Sequence, residues 1–449
     1  MNITARISRA PMSGYQWLIV ALCTFMNCLD GFDVMAVAFT GPSVTEEFGL
    51  SGSEFGLLVS VGLIGMAIGS MLLAPFADLI GRRPLILISL ALGTVGMFGA
   101  AMAPSVTVMG LFRLVTGIGV GGILASTTVI ASEFSNARNR GLAVGIYTAG
   151  YGIGATAASL VAKTAVGGDW RTVFYAGGTG TLIALVVIAV ALPESVAFLE
   201  QRRPDDALRR INRTLSRMRV EPVTDADLDR AAAAGSGAGR AASGWLKQLL
   251  TPTILLWLTF ITIMFGFYFV NSWTPTLLVE EGLSESAAVT AGMAISIGGT
   301  VGSVLYGVAA RVRPPRVVLI GFALLSAATM VVFIVSASTL WLGFAVGAVV
   351  GALINGCIAG AYTVGPPLYP AHLRSIGMGW ALGMGRIGAI LSPTVAGLLK
   401  DAGASATQLY IGAAVVVALC ALVLVALRRH DPESRTESRP AAAGEALSA

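Results

Sequence analysis

Two carboxylates three residues apart, Asp30 and Asp33, stand inside the first long apolar run of the chain, WLIVALCTFMNCLDGFDVMAVAFTG. On a helix they lie about 60° apart on one face. Counted from Trp17 they sit ~20–24 Å along the run, past the middle of a bilayer. A carboxylate at that depth must face a cavity or a cation. Two close acids in a low dielectric do not both ionise easily. An acid tuned in this way takes up a proton on one side of a membrane and releases it on the other. Which of the two carries the proton stays open, with Asp33, the deeper, placed slightly ahead. The alternative is that one Asp merely hydrogen-bonds around a bend at Gly31.

Two guanidinium groups share the apolar depth. Arg113 is about seven residues into the fourth run and Arg386 about eleven into the eleventh, counted on the 1.5 Å rise of a helix. Guanidinium stays charged there, so each needs an anion. Asp30, Asp33, Glu133 and a substrate carboxylate are the candidates. The planar fork of Arg suits an organic acid, and a structural interhelical ion pair is the competing reading for both. Aromatic residues can complete a pocket for a flat acid: Phe32 between the acids, Tyr147 and Tyr151 on the fifth run, Tyr268 and Trp273 on the seventh, Tyr362 and Trp380 further on. Each could instead pack or face lipid. Asn271 is a polar group at span depth, and Pro275 is placed to break the seventh run. Gly383, Gly385 and Gly388 would leave room beside Arg386 for a ligand.

These residues need a membrane-spanning frame. The chain has 449 residues, 55% hydrophobic and only 12% charged, with a mean hydropathy of +0.80. A soluble domain carries about twice that charge. Runs of ~20 apolar residues recur from end to end, so the fold class is an all-α membrane protein. The first run is too long and too acidic for a cleaved signal peptide. Twelve spans are expected, at 15–40, 54–77, 84–103, 106–131, 138–163, 170–192, 252–277, 286–310, 315–336, 339–363, 375–398 and 405–427. Cys23, Cys28, Cys357 and Cys420 all lie in apolar runs, so no disulfide framework is implied. With two His, at 372 and 430, a metal site is not expected. No Walker-type loop is present, so ATP does not drive the protein and no cofactor is expected.

With both termini on the cytoplasmic side, 24 of the 29 Lys and Arg fall in inner segments and only Lys163, Arg171 and Lys400 in outer loops. That bias orients the chain. The net charge of +5 is thus a topology signal and implies no nucleic-acid partner. The expected domains are a six-helix half over 1–192, a cytoplasmic inter-half loop over 193–250, a second six-helix half over 251–430 and a disordered cytoplasmic tail over 431–449. SVAFLEQRRPDDALRRINRTLSRMR in the loop reads as a basic amphipathic helix, restarted after Pro204 with an Asp cap and lying near anionic headgroups. AAAAGSGAGRAASG after it reads as flexible. APFADLIGRRPLILI at 74–88 aligns with YGVAARVRPPRVVLI at 306–320, a weak internal repeat of the kind found in secondary transporters.

Several motifs carry a resemblance. ADLIGRR at 77–83, RLVTGIGVGG at 113–122, SEF at 132–134 with Arg138 and Arg140, and LPESVAFL at 192–199 are similar to the signatures of the major facilitator superfamily. DGFD at 30–33, NSWTP at 271–275 and GWALGMGRIGAI at 379–390 resemble its aromatic acid:proton symporter family. The second inner-loop copy has Ala310 where an acid would stand, which implies a weaker latch on that side. YTAGYGIGATAAS lacks the proline of the drug-antiporter signature. The resemblance implies proton-coupled import of hydroxybenzoate-like acids across the inner membrane, with Asp30 and Asp33 coupling protons. Arg386, Arg113, Asn271, Trp273, Phe32, Tyr151 and Tyr362 would bind substrate. Asp78, Arg82, Arg83, Glu133, Arg138 and Arg140 would gate the cytoplasmic mouth, with Glu133 paired to Arg138 and Arg140. The alternatives are a transporter of another metabolite, an exporter, or a non-transporting membrane sensor. No nucleophile–base pair points to an enzyme.

Overall fold

The computed structural model describes residues 3–427 except 137, 166–168, 226, 229–245, 337–339 and 370–373. Twelve helices are long and apolar enough to cross a membrane. They are span one Gly14–Phe48, two Gly52–Leu72, three Arg82–Ala101, four Val106–Glu133, five Arg140–Ala165 and six Arg171–Ala191. The second set is span seven Leu246–Glu280, eight Glu285–Val312, nine Pro315–Ser336, ten Leu340–Val364, eleven Arg374–Asp401 and twelve Ala406–Leu427.

Local chemistry starts these helices. Ser13 accepts from the Gln16 amide at 3.3 Å while the Gln16 side chain accepts from the Ser13 amide at 2.8 Å, a capping box that satisfies two orphan donors of span one. Ser51 and Glu54 do the same for span two. Span one continues past the expected end, through Pro42 to Phe48, and Gly49 stops it in a left-handed conformation with φ 61°. Span seven runs unbroken through Pro275, contrary to the break expected there. That proline removes only the hydrogen bond to the Asn271 carbonyl, and the helix continues through the gap inside the surrounding core.

The two halves repeat one packing pattern. In the first, span one packs on five, two on four, and three on both four and six. In the second, seven packs on eleven, eight on ten, and nine on both ten and twelve. The halves meet where span two contacts eleven, five contacts eight and one contacts seven. The seam between spans two and eleven is glycine against backbone. A Cβ at Gly56 would lie 2.3 Å from the Pro393 carbonyl oxygen, and one at Gly397 would lie 2.2 Å from that of Gly52. Small residues at such crossings let backbones touch. Asp401, at the end of span eleven, accepts from the Gly52 and Ser53 amides at 2.7 and 2.8 Å, so one half caps a helix of the other. Ser60 bonds the Ile390 carbonyl and the Thr394 hydroxyl, both at 2.8 Å, and Ser43 donates to Glu285 at 2.7 Å. These joins lie away from the face that bears the 193–250 loop; that face is called the loop face below, and the opposite one the far face.

The amphipathic segment of the loop differs from expectation. It forms two helices, Val196–Arg202 and Ala207–Met218, separated at Arg203 with φ 48°. Asp206 makes no side-chain cap; it pairs with Arg209 and Arg210 instead. The apolar stripe is covered by protein. Leu199, Ile211, Leu215 and Met218 bury against Ile3 and Ile7 of a short helix, Ile3–Arg9. Arg6 donates to Asp227 at 3.0 Å and to the Pro222 carbonyl at 2.9 Å, tying the two pieces together. The glycine-rich part of the loop and the tail over 431–449 lie outside the described residues.

Candidate functional site

The middle of the molecule gathers the buried charges from spans one, four and eleven, with aromatic residues from spans five and seven beside them. Asp33 and Arg113 form a buried ion pair, with side chains 5% and 4% exposed. Gly62 of span two leaves the space the guanidinium occupies: a Cβ there would lie 3.0 Å from Nη2. Asp30 is treated differently. Its residue is 6% exposed, yet its Oδ1 is buried without a hydrogen-bond partner. The DGFD motif thus divides into one satisfied carboxylate and one left without a bond.

Arg386 is half-buried in mid-span. Its Nη1 donates to the Tyr268 hydroxyl at 3.2 Å, and Asp30, Tyr268 and Tyr362 are in electrostatic reach. Aromatic rings surround this group. Tyr151 of span five meets Phe267 of span seven at 5.9 Å between centroids, and Phe267 meets Tyr268 edge-on at 5.2 Å. Tyr362, 47% exposed, packs edge-on against Phe260 at 5.8 Å. The Tyr151 hydroxyl is also buried without a partner. A guanidinium, two orphaned oxygens and several ring faces therefore share one region between the halves, as a flat anion requires.

The other expected binding residues are placed elsewhere. Trp273 is fully enclosed, with its Nε1 donating to the Pro393 carbonyl at 3.2 Å and its ring edge-on to Phe55. Asn271 bonds the Phe267 carbonyl one turn back at 2.8 Å. Phe32 lines a small apolar void inside the first half, which Asp30 and Asp33 also border together with Met97, Thr116 and Gly177. Arg113 is committed to Asp33. Of the three glycines near Arg386, only Gly383 borders open space; a Cβ at Gly388 would lie 2.1 Å from the Ile261 carbonyl, so that glycine serves helix packing. Tyr268 was one aromatic among many in the sequence, and Phe267 carried no signal at all, because which face of span seven turns inward depends on its packing against span eleven.

At the loop face, Glu133 pairs with Arg82; among the described side chains it makes no pair with Arg138. Its Oε2 also accepts from the Ser195 hydroxyl at 2.7 Å. Glu194 accepts from the backbone amides of Arg82 at 3.0 Å and Ser195 at 2.8 Å, and Arg83 donates to the Ala189 carbonyl at 2.5 Å. Arg138 is exposed, and the side chains of Asp78 and Arg140 lie outside the described residues. Every group in this cluster belongs to the first half. It joins the turn before span three to the ends of spans four and six, and among the described residues it makes no bond to the second half. Glu194 and Ser195 were visible only as part of LPESVAFL.

A family model for the Major Facilitator Superfamily matches residues 22–313. The chain belongs to the major facilitator superfamily. It is 31% identical over 403 residues to a gallate transporter of Pseudomonas putida, covering 88% of each chain. It is 30% identical over 442 residues to the 4-hydroxybenzoate transporter PcaK of the same organism, covering 95% of each. Among solved structures it resembles a partially occluded, inward-open form of the xylose transporter XylE from E. coli, with a TM-score of 0.74 at 17% identity over 92% of this chain and 98% of that one. A bacterial homologue of the lysosomal transporter Spinster, inward-facing, gives 0.73 at 17% identity, covering 94% of this chain and 99% of that one. Duplicated six-helix halves around a central site are the transporter architecture of this superfamily member.

Proposed function

We propose that this transporter imports aromatic carboxylates, of the hydroxybenzoate kind its relatives are named for, together with protons. The loop face is cytoplasmic, the membrane is the bacterial inner membrane, and transport proceeds by alternating access. One observation carries the reading: Arg386, half-buried among aromatic rings between the halves, lies within electrostatic reach of an Asp30 carboxyl whose Oδ1 has no hydrogen bond.

The arrangement supports coupling by competition. Arg386 has two possible anions, Asp30 and the substrate carboxylate. A protonated Asp30 releases the guanidinium, so the proton and the organic anion favour each other's binding, reciprocally. On the far face, proton and acid bind together. The halves then rock about the site, and both leave towards the cytoplasm. Asp33, neutralised by Arg113, holds spans one and four together through the cycle, which moves the carrier role to Asp30. Arg386 and the ring faces of Tyr151 and Tyr362 hold the substrate.

The test is uptake of labelled 4-hydroxybenzoate and gallate into proteoliposomes. Accumulation should need an inward proton gradient and collapse with a protonophore. Asp30→Asn should keep substrate exchange and lose accumulation. Normal gradient-driven accumulation by Asp30→Asn would overturn the coupling scheme, and failure of the parent protein to move either acid would overturn the substrate assignment.

A further inference from the structure

The carboxylate of an aromatic acid has its anchor in Arg386. The remaining polar atoms of the site are unassigned: the Tyr151 hydroxyl and Asp30 Oδ1, each buried and each without a hydrogen-bond partner. The backbone puts their helices in contact at this level. A Cβ at Gly31 would lie 2.0 Å from the Tyr151 carbonyl oxygen, so spans one and five touch where Asp30 and Tyr151 leave them. The Tyr151 ring then reaches across to Phe267 of the other half. The charged and titratable groups within electrostatic reach of Tyr151 are Asp30, Asp33, Tyr268 and Arg386. Asp33 is consumed by Arg113 and Tyr268 by Arg386.

The two orphans are chemically complementary to one substituent. A phenol donates, and the carbonyl oxygen of a protonated Asp30 carboxyl accepts. A group that accepts from Tyr151 and donates to Asp30 must be both donor and acceptor, which a ring hydroxyl is and a bare ring edge is not. Buried polar groups in proteins are nearly always bonded, so two exceptions on touching helices, both within electrostatic reach of the ligand anchor, mark where a ligand's polar atom goes.

We propose that Tyr151 and Asp30 form the subsite that reads a hydroxyl on the aromatic ring, so that they determine preference for hydroxylated over plain aromatic carboxylates. This rests on the aromatic-acid reading above. A site built to bond a hydroxyl rejects the analogue lacking it, because its own polar groups are then left unpaired.

The experiment measures binding of benzoate, 3-hydroxybenzoate and 4-hydroxybenzoate to purified protein by calorimetry in the parent, in Tyr151→Phe and in Asp30→Ala. The parent should favour at least one hydroxybenzoate over benzoate. In Tyr151→Phe that ratio should fall about tenfold, the worth of one hydrogen bond to a buried partner. Asp30→Ala should lower the same ratio, and because loss of its charge near Arg386 affects both carboxylates alike, the ratio isolates the hydroxyl. A merely structural Tyr151, packed on Phe267, would weaken both acids equally and leave the ratio where it was. An unchanged ratio in both variants overturns the subsite, as does a parent that binds benzoate as tightly as either hydroxybenzoate. A parent that binds none of the three overturns the underlying reading instead.

Discussion

Asp33 and Arg113 hold two charges out of water, and their value lies in each other. Removing one partner strands the other, which costs about 3–5 kcal/mol, whereas replacing both with apolar groups is far cheaper. Asp33→Asn and Arg113→Leu should each lower the melting temperature in detergent sharply, and the double variant should recover most of the loss. Additive losses would show that the two do not act as a pair. Arg386 should behave in the opposite way. Arg386→Lys keeps the charge but not the fork, so it should raise the apparent substrate constant about tenfold with little change in melting temperature. A steep stability loss in a variant that still binds normally would make Arg386 structural. The sequence showed four charges at apolar depth and their need for partners. It could not say which acid met which base. Asp30 and Asp33 are only about 60° apart on their helix, and the choice is made by how span one turns against spans four, five and seven.

At the scale of elements, the far-face seam is built from absent side chains. Any Cβ at Gly56 collides with the Pro393 carbonyl, and backbone does not yield as a side-chain tip does. Gly56→Leu should therefore drive spans two and eleven apart and shift the population away from this conformation. Ser60, buried against Ile390 and Thr394, reports on it: Ser60→Cys should react faster with an impermeant thiol reagent in the Gly56→Leu background than without it. Equal rates would show that the seam does not gate the far face. The glycines were legible as packing residues, but their partners were not, since a glycine advertises room without saying what fills it. Pro275, read as a break, misled in the other direction. Pro42 and Pro275 remove one hydrogen bond each, and a helix enclosed by neighbours on several sides survives that loss where an isolated one would break.

For the whole molecule, the twelve spans and their duplication were readable because apolar length and charge placement are one-dimensional properties. The cap on the loop face was not. An amphipathic stripe such as Ile211–Leu215–Met218 is equally content on lipid or on protein, and only the fold supplies Ile3 and Ile7 to cover it. The cap also provides a topology test. Arg209 projects from it with its side chain 84% exposed. Arg209→Cys, in a background with Cys28 replaced, should resist an impermeant reagent in intact cells and label readily in inverted vesicles. Labelling from outside would reverse the orientation proposed here.

The division of labour within DGFD also sets an electrical property. If Asp30 alone carries the proton, as proposed above, one proton accompanies one organic anion and each cycle would move no net charge. The membrane voltage then does no work on the substrate, and a potential imposed by potassium and valinomycin should leave the final accumulation unaltered. The concentration ratio at equilibrium follows the pH difference alone, about tenfold per unit. That is the same ratio the undissociated acid would reach by leaking through the lipid unaided. For benzoate, which crosses bilayers readily, such a carrier adds little. For acids whose ring hydroxyls slow their passage through hydrocarbon, it converts a limit that is thermodynamically available into one that is reached in time.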